Sequence, residues 1–101
     1  MGYTIWYEGT SETPITPEQL AQAQEHAARW TTKLSESAED YRWDIDDEDD
    51  CKISGWTKPG LDELEMEEDV DTLIDAVRTL DGEMDGLEFT VTDDYETEHY
   101  P

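Results

Sequence analysis

Most of the residues in this chain that could bind or react are carboxylates. Their densest run is Asp44-Ile45-Asp46-Asp47-Glu48-Asp49-Asp50, followed directly by the single cysteine, Cys51. Clustered carboxylates invite a divalent cation. An EF-hand loop beginning at Asp44 would need glycine at its sixth position and glutamate at its twelfth, where this chain has Asp49 and Gly55. Beginning at Asp47 instead puts Lys52 at the glycine position. The run therefore predicts no specific metal site, only the weak cation attraction of any acidic loop.

Groups suited to covalent or acid–base chemistry are few. His26 lies one position off the apolar stripe of its helix, and His99 lies in the C-terminal segment. Cys51 is expected to face inward as a small apolar group, with its thiolate disfavoured because the one neighbouring cation, Lys52, lies on the other face. No Gly-rich phosphate loop, serine elbow or His-x-x-x-His spacing occurs. The expectation is a protein with no catalytic residues and no cofactor. A lone cysteine also excludes an intrachain disulfide and a cysteine metal cluster.

Net charge is the strongest signal. The chain of 101 residues carries 29 acids and 6 bases, for a formal charge of −23. The acids are unevenly placed. The first 35 residues hold only Glu8, Glu12, Glu18 and Glu25, against Arg29 and Lys33. Such a charge repels anionic membranes and free nucleic acid, and it attracts a basic surface. With no run of about 18 apolar residues and no basic-then-apolar leader, neither a spanning helix nor a signal peptide is expected, and the chain reads as cytoplasmic.

The elements that position these groups follow from periodicity. Tyr3-Thr4-Ile5-Trp6-Tyr7 alternates as a first strand, with a loop expected from Glu8 to Pro14. Thr16 and Gln19 form a capping box with Pro17 at the first helical position, so a helix begins there. Its stripe is Leu20, Ala23, Ala27, Trp30 and Leu34, with an end near Ser35 to Ser37.

Tyr41, Trp43 and Ile45 alternate with Arg42 and Asp44, and the pattern resumes at Cys51 and Ile53, which predicts a hairpin. Placing Ile45 opposite Cys51 pairs Trp43 with Ile53, Tyr41 with Gly55 and Asp44 with Lys52. Leu61, Leu64 and Met66 are expected to cover the open end of the core. A second helix is expected from about Glu67 to Asp81, ended by Gly82, followed by a strand at Leu87, Phe89 and Val91.

Strand, helix, strand, strand, helix, strand is the order of a ferredoxin-like βαββαβ unit, a four-stranded antiparallel sheet with two helices on one face. Residues 1–92 are expected to form this domain, and residues 93–101 an acidic tail. In that arrangement Trp6 and Trp56 project from the open sheet face, an apolar patch suited to a protein partner or a homodimer contact.

The function expected from these features is an acidic protein-binding module that docks on the basic, nucleic-acid-binding surface of a partner. It would act as a nucleic-acid mimic of the kind found in inhibitors, anti-defence proteins and immunity proteins. The docking residues expected are Asp44, Asp46, Asp47, Glu48, Asp49 and Asp50, backed by Asp81, Glu83 and Asp85. Two further readings compete with it: an acid coat that serves solubility in a salt-loving organism, and weak divalent-cation binding.

Overall fold

β1 (Ile5–Ser11) occupies the centre of an antiparallel sheet in the computed structural model, which describes residues 3–100. It pairs with β3 (Lys52–Thr57) on one side and β4 (Leu87–Asp93) on the other. β2 (Asp44–Ile45) lies outside β3, and β5 (Glu98–Tyr100) lies outside β4. With α1 (Pro17–Thr31) and α2 (Glu63–Glu83) the architecture is α+β, with five strands where four were expected. β1 runs on through Glu8, Gly9 and Thr10, expected to be loop, because both neighbouring strands supply ladder partners that far.

Alternation along the strands sorts side chains to two faces. Ile5, Tyr7, Ile53, Phe89 and Val91 are buried in one core with Ala23 and Ala27 of α1 and Leu73, Ala76, Val77 and Leu80 of α2. Both helices therefore cover the same face of the sheet. The other face carries Trp6 and Trp56, each 46% exposed.

The helix boundaries follow local chemistry. Thr16 caps α1 as expected: its hydroxyl accepts the Gln19 N–H at 3.1 Å, while the Gln19 side chain accepts the Thr16 N–H at 2.9 Å. A cap of this type contributes about 1 kcal/mol. The helix stops at Thr31, earlier than its apolar stripe suggests. There the Thr31 hydroxyl donates to the Tyr41 carbonyl at 2.9 Å and accepts the Tyr41 N–H at 3.1 Å, which ties the helix end to the incoming hairpin. Leu20, Trp30 and Leu34 of the expected stripe are only partly buried.

α2 begins four residues before the expected Glu67, because Asp62 accepts the Leu64 N–H at 3.0 Å and caps it. It then runs through Gly82, and the left-handed turn falls at Gly86, with φ of 86°.

The segment before α2 is held differently from expectation. Leu61 and Leu64 are exposed, so they do not cover the core. Asp69 takes that role through hydrogen bonds. Its buried carboxylate accepts the Ser35 N–H (2.9 Å), the Ser35 hydroxyl (2.6 Å) and the Gly60 N–H (2.8 Å). One side chain thus joins the exit of α1, the loop before α2, and α2 itself.

The hairpin register differs from expectation by two residues: Ile45 faces Ile53, and Asp44 faces Ser54. A shift of two preserves the faces, so Trp43, Tyr41 and Ile53 remain inward. Close approach at Gly55 accompanies this register. A Cβ there would lie 2.0 Å from the Arg42 carbonyl oxygen and 2.6 Å from Tyr7 Cε1, so only glycine lets the Tyr41–Trp43 segment settle against β3.

Within the expected tail, Asp93 ends β4 and Glu98–Tyr100 forms β5, while Pro101 lies outside the described residues. Asp93 organises this segment, accepting N–H groups of Tyr95 (2.8 Å) and Thr97 (3.0 Å) and the Tyr3 hydroxyl (2.8 Å), with His99 Nε2 at 2.9 Å. Burial alone would raise its pKa, but the hydrogen bonds from His99, Thr97, Tyr3 and Tyr95 outweigh burial and hold the carboxyl well below the usual aspartate range. The turn they make returns Glu98–Tyr100 alongside β4.

His26, expected off the stripe, is fully buried. Its Nε2 lies 2.9 Å from the Tyr41 hydroxyl, which also accepts the Trp43 indole N–H at 2.8 Å. Nδ1 is buried without a hydrogen bond of ordinary geometry. Burial is the main cause that lowers the His26 pKa; Arg29 adds to it, while Glu83 and the Ala76 carbonyl oppose it.

A stability prediction follows for His26. As pH falls below about 6.5, the unfolded chain takes up a proton that the folded one resists, so protons favour unfolding and stability is lost. Protonation of the many carboxylates at lower pH acts the other way. Comparison with His26→Gln isolates the effect. Between pH 7.5 and 5.5 the stability advantage of the parent over the variant in urea melts should shrink, by at most about 1.4 kcal/mol per pH unit. A constant difference would show that His26 is not held neutral.

Candidate functional site

The acidic turn is built from its own carboxylates. Asp46 Oδ1 accepts the Glu48 N–H at 2.8 Å, and Asp49 Oδ1 accepts the Cys51 N–H at 2.9 Å. Aspartates bonding backbone two residues on are the mechanism by which they favour turns. The Asp46 N–H then donates to the Lys52 carbonyl at 2.9 Å and closes the hairpin.

Two more backbone bonds fix the turn to the body. The Ser11 N–H donates to the Cys51 carbonyl and the Ile15 N–H to the Asp50 carbonyl, each at 2.8 Å. The turn is thereby attached to the connection between β1 and α1. Asp44, Asp47, Glu48, Asp49 and Asp50 are exposed, and Asp46 is half-buried.

Lys52, expected opposite Asp44, sits instead 3.5 Å from Glu8 and 3.9 Å from Asp46. Such partly exposed pairs contribute about 0–1 kcal/mol each. They offset a small part of the local charge excess.

The register of β1 brings the loop after α2 to the same end of the sheet as the hairpin turn. Thr10 faces Lys52 on one side and Glu88 on the other, and Ser11 faces Leu87. Asp85 and Glu88 join Glu12, Thr10 and Thr13 around an open depression of about 650 Å³. Glu12 and Glu88 were not among the expected docking residues. Their place at this end depends on strand register, which no local pattern displays.

Besides Asp46 and Asp49, which close the turn, two further expected docking residues are engaged within the fold. The Asp81 carboxylate accepts the Tyr100 hydroxyl and so secures β5 to α2. Glu83 lies 4.0 Å from Arg29, across the two helices. The remaining five, Asp44, Asp47, Glu48, Asp50 and Asp85, are exposed.

The helices differ sharply in charge. Glu18 and Glu25 are the acids of α1, whose solvent side also shows Ala21, Gln22, Gln24, Ala28 and the base Arg29. On α2 the exposed acids include Glu63, Glu67, Glu68, Asp71 and Asp75, with Arg78 beside Asp75 at 3.1 Å. Negative potential therefore covers the hairpin end and α2 and is weak over α1.

Cys51 lies in the turn and is half-exposed, not inward on a strand as expected. The two-residue shift leaves it beyond the last ladder pair of β2. Its ligating atom and those of Asp49 and Asp50 lie within 4.8 Å of one another. The two aspartates are exposed and supply at most four carboxylate oxygens, short of the six to eight oxygens that calcium takes. Desolvation, then Asp50 and Asp49, push the thiol pKa up.

No protein-family model, curated protein or solved structure matches this chain. Among the described residues, no helix is long and apolar enough to cross a membrane.

The thiol serves as a probe of the potential at this turn. Alkylation of Cys51 by neutral iodoacetamide at pH 8 should be slower than for a free cysteine. It should speed up on adding salt and again in Asp49→Asn/Asp50→Asn. Mass-spectrometric rates insensitive to both changes would mean that the turn carries no concentrated field.

Proposed function

We propose that the chain is a non-enzymatic acidic binding module whose carboxylate surface docks on a basic, nucleic-acid-binding surface of a partner protein. The observation that supports this reading is the contrast between a nearly neutral α1 and the acid-rich hairpin end and α2. Opposed potentials of this kind steer encounter and set register. A row of carboxylates held on a fixed turn imitates the spaced charges of a phosphate backbone. Inhibitors of nucleic-acid enzymes, anti-defence proteins and immunity proteins are the functional classes this reading favours.

On this reading the scaffold is a ferredoxin-like unit. The order β2-β3-β1-β4 with α1 and α2 on one face supports that assignment, and β5 is an added edge strand. The unit holds the hairpin turn and the loop at Asp85 side by side as one presenting end.

A second reading is favoured by one observation, the continuous acidity along α2 away from the hairpin. On it, the acids form a coat that keeps a small domain soluble at high salt. The two readings differ in what salt does to the fold. A docking module should already be cooperatively folded at physiological ionic strength, where the Debye length is about 8 Å. Potassium chloride should then raise its melting temperature by a few degrees only. A requirement for molar salt to obtain any folding transition would favour the solubility reading and overturn the docking one.

Replacing Asp46, Asp47, Asp49 and Asp50 together by asparagine tests the site itself. Asparagine keeps the Oδ1 acceptors that close the turn, so stability should be unchanged or slightly higher as repulsion falls. Capture of basic proteins from the native host at low salt, with elution by raised salt, should drop at least about tenfold, as expected when several steering charges are lost. Undiminished capture by a folded variant would remove the turn from the interface.

A further inference from the structure

Trp6 and Trp56 face each other across β1 and β3, their ring centroids 6.3 Å apart and the planes inclined by 49°. The Trp6 indole N–H donates to Asp94 Oδ1 at 3.0 Å, and Asp94 Oδ2 accepts the Thr4 N–H at 2.9 Å. The ring is thereby held in place with its polar edge satisfied and much of its surface open. Beside the pair lies a shallow depression of about 280 Å³ whose lining includes Glu8, Asp46, Ser54 and Thr92.

Three occupants can be weighed on charge. A second copy of this chain would bring Glu8 and Asp46 against their own counterparts on a body of charge −23, which opposes association. An apolar partner would cover the rings but also take the Glu8–Lys52–Asp46 cluster, which carries two carboxylates against one ammonium, out of water. A cation satisfies both the ring faces, which are negative, and the carboxylate rim.

The chain already makes one such contact elsewhere, with the Lys33 ammonium 5.0 Å from the Trp30 ring centroid. Among the described residues no cation of the chain lies over Trp6 or Trp56. Of the nearby bases, Lys52 is held by Glu8 and Asp46, and Arg42 lines a separate depression beside Trp56 with Asp40 and Asp44.

We propose that the Trp6–Trp56 pair is the anchor site for an arginine side chain of the basic partner, with Glu8 and Asp46 receiving its N–H groups. This rests on the acidic-docking reading above and names the specific contact within it. Arginine is favoured over lysine because a planar guanidinium stacks on an indole face and still donates in its own plane to carboxylates. The hairpin turn supplies long-range attraction, and the aromatic pair supplies the short-range stop.

The test uses fluorescently labelled hexa-arginine and hexalysine peptides, followed by anisotropy at low salt. The proteins are the parent, Trp6→Thr/Trp56→Thr, Trp6→Phe/Trp56→Phe, and an asparagine variant of the turn, Asp47→Asn/Asp49→Asn/Asp50→Asn, which leaves Asp46 of the anchor in place. Hexa-arginine should bind the parent more tightly than hexalysine. The threonine variant should lose about tenfold in hexa-arginine affinity, as two cation–π contacts at exposed sites would supply, and little in hexalysine affinity. The phenylalanine variant, which keeps an aromatic pair on the sheet, should fall between them and guards against a folding artefact.

Equal hexa-arginine affinity in parent and threonine variant, with a loss in the asparagine variant, would overturn the anchor and leave the docking surface standing. Loss in the threonine variant alone would support the anchor and remove the turn. No hexa-arginine binding to the parent would overturn both. Sedimentation showing a dimer in the parent and a monomer in the threonine variant would assign the face to a second copy and overturn the anchor.

Discussion

Only Asp44 and Ile45 pair within β2, so the packing of Tyr41 and Trp43 beneath the sheet is what secures the hairpin. Trp43 meets Tyr7 at 4.8 Å and Phe89 at 5.6 Å between centroids, both edge-on, and Tyr41 meets Tyr7 at 5.1 Å. Edge-on pairs of this kind contribute about 0.5–1.5 kcal/mol each beyond their area. Their polar ends are satisfied internally. The Tyr7 hydroxyl lies 2.7 Å from Thr57 Oγ1 and accepts the Arg42 N–H at 3.1 Å, and Tyr41 links Trp43 to His26. Burial lifts the Tyr7 pKa to about 12, so its hydroxyl stays a neutral donor in this network. The exposed acidic turn is thus the outer end of a rigid buried one.

That arrangement answers the main difficulty of the composition. A body of charge −23 repels itself, and a small core has little reserve against repulsion. Several carboxylates are therefore used as structural acceptors. Asp69 joins α1 to α2, Asp93 turns the chain into β5, Asp62 caps α2, and Asp46 and Asp49 close the hairpin. Each of these satisfies backbone donors that would otherwise need another partner. The same residue type forms the joints of the fold and the surface it displays.

The two faces of the sheet have separate roles because alternation gives each strand residue one side or the other. Inward residues build the aromatic core, and outward ones leave an indole pair within a carboxylate rim. Attraction between oppositely charged surfaces acts over about a Debye length and carries little geometric information. Buried aromatic and arginine contacts at short range are what concentrate binding energy at interfaces. On the proposed docking reading, a long-range acidic end beside a short-range aromatic pair would supply both properties.

What the sequence alone determined was local. The capping box at Thr16 and Gln19, the strand periodicity, the side to which Trp6, Trp43 and Trp56 point, and the uneven charge all depend on residues within a few positions of one another, and each was legible there. What only the tertiary structure decided depends on contacts between distant residues. The hairpin register is accompanied by Gly55 meeting the Arg42 carbonyl oxygen and the Tyr7 ring, β5 follows a turn where Tyr3 and His99 converge on Asp93, and His26 is buried against Tyr41 from the hairpin. Glu12 and Glu88 join the acidic end only through the pairing of β1. Hydrophobic period and turn chemistry act along the chain, whereas these choices are settled by which surfaces meet once it has folded.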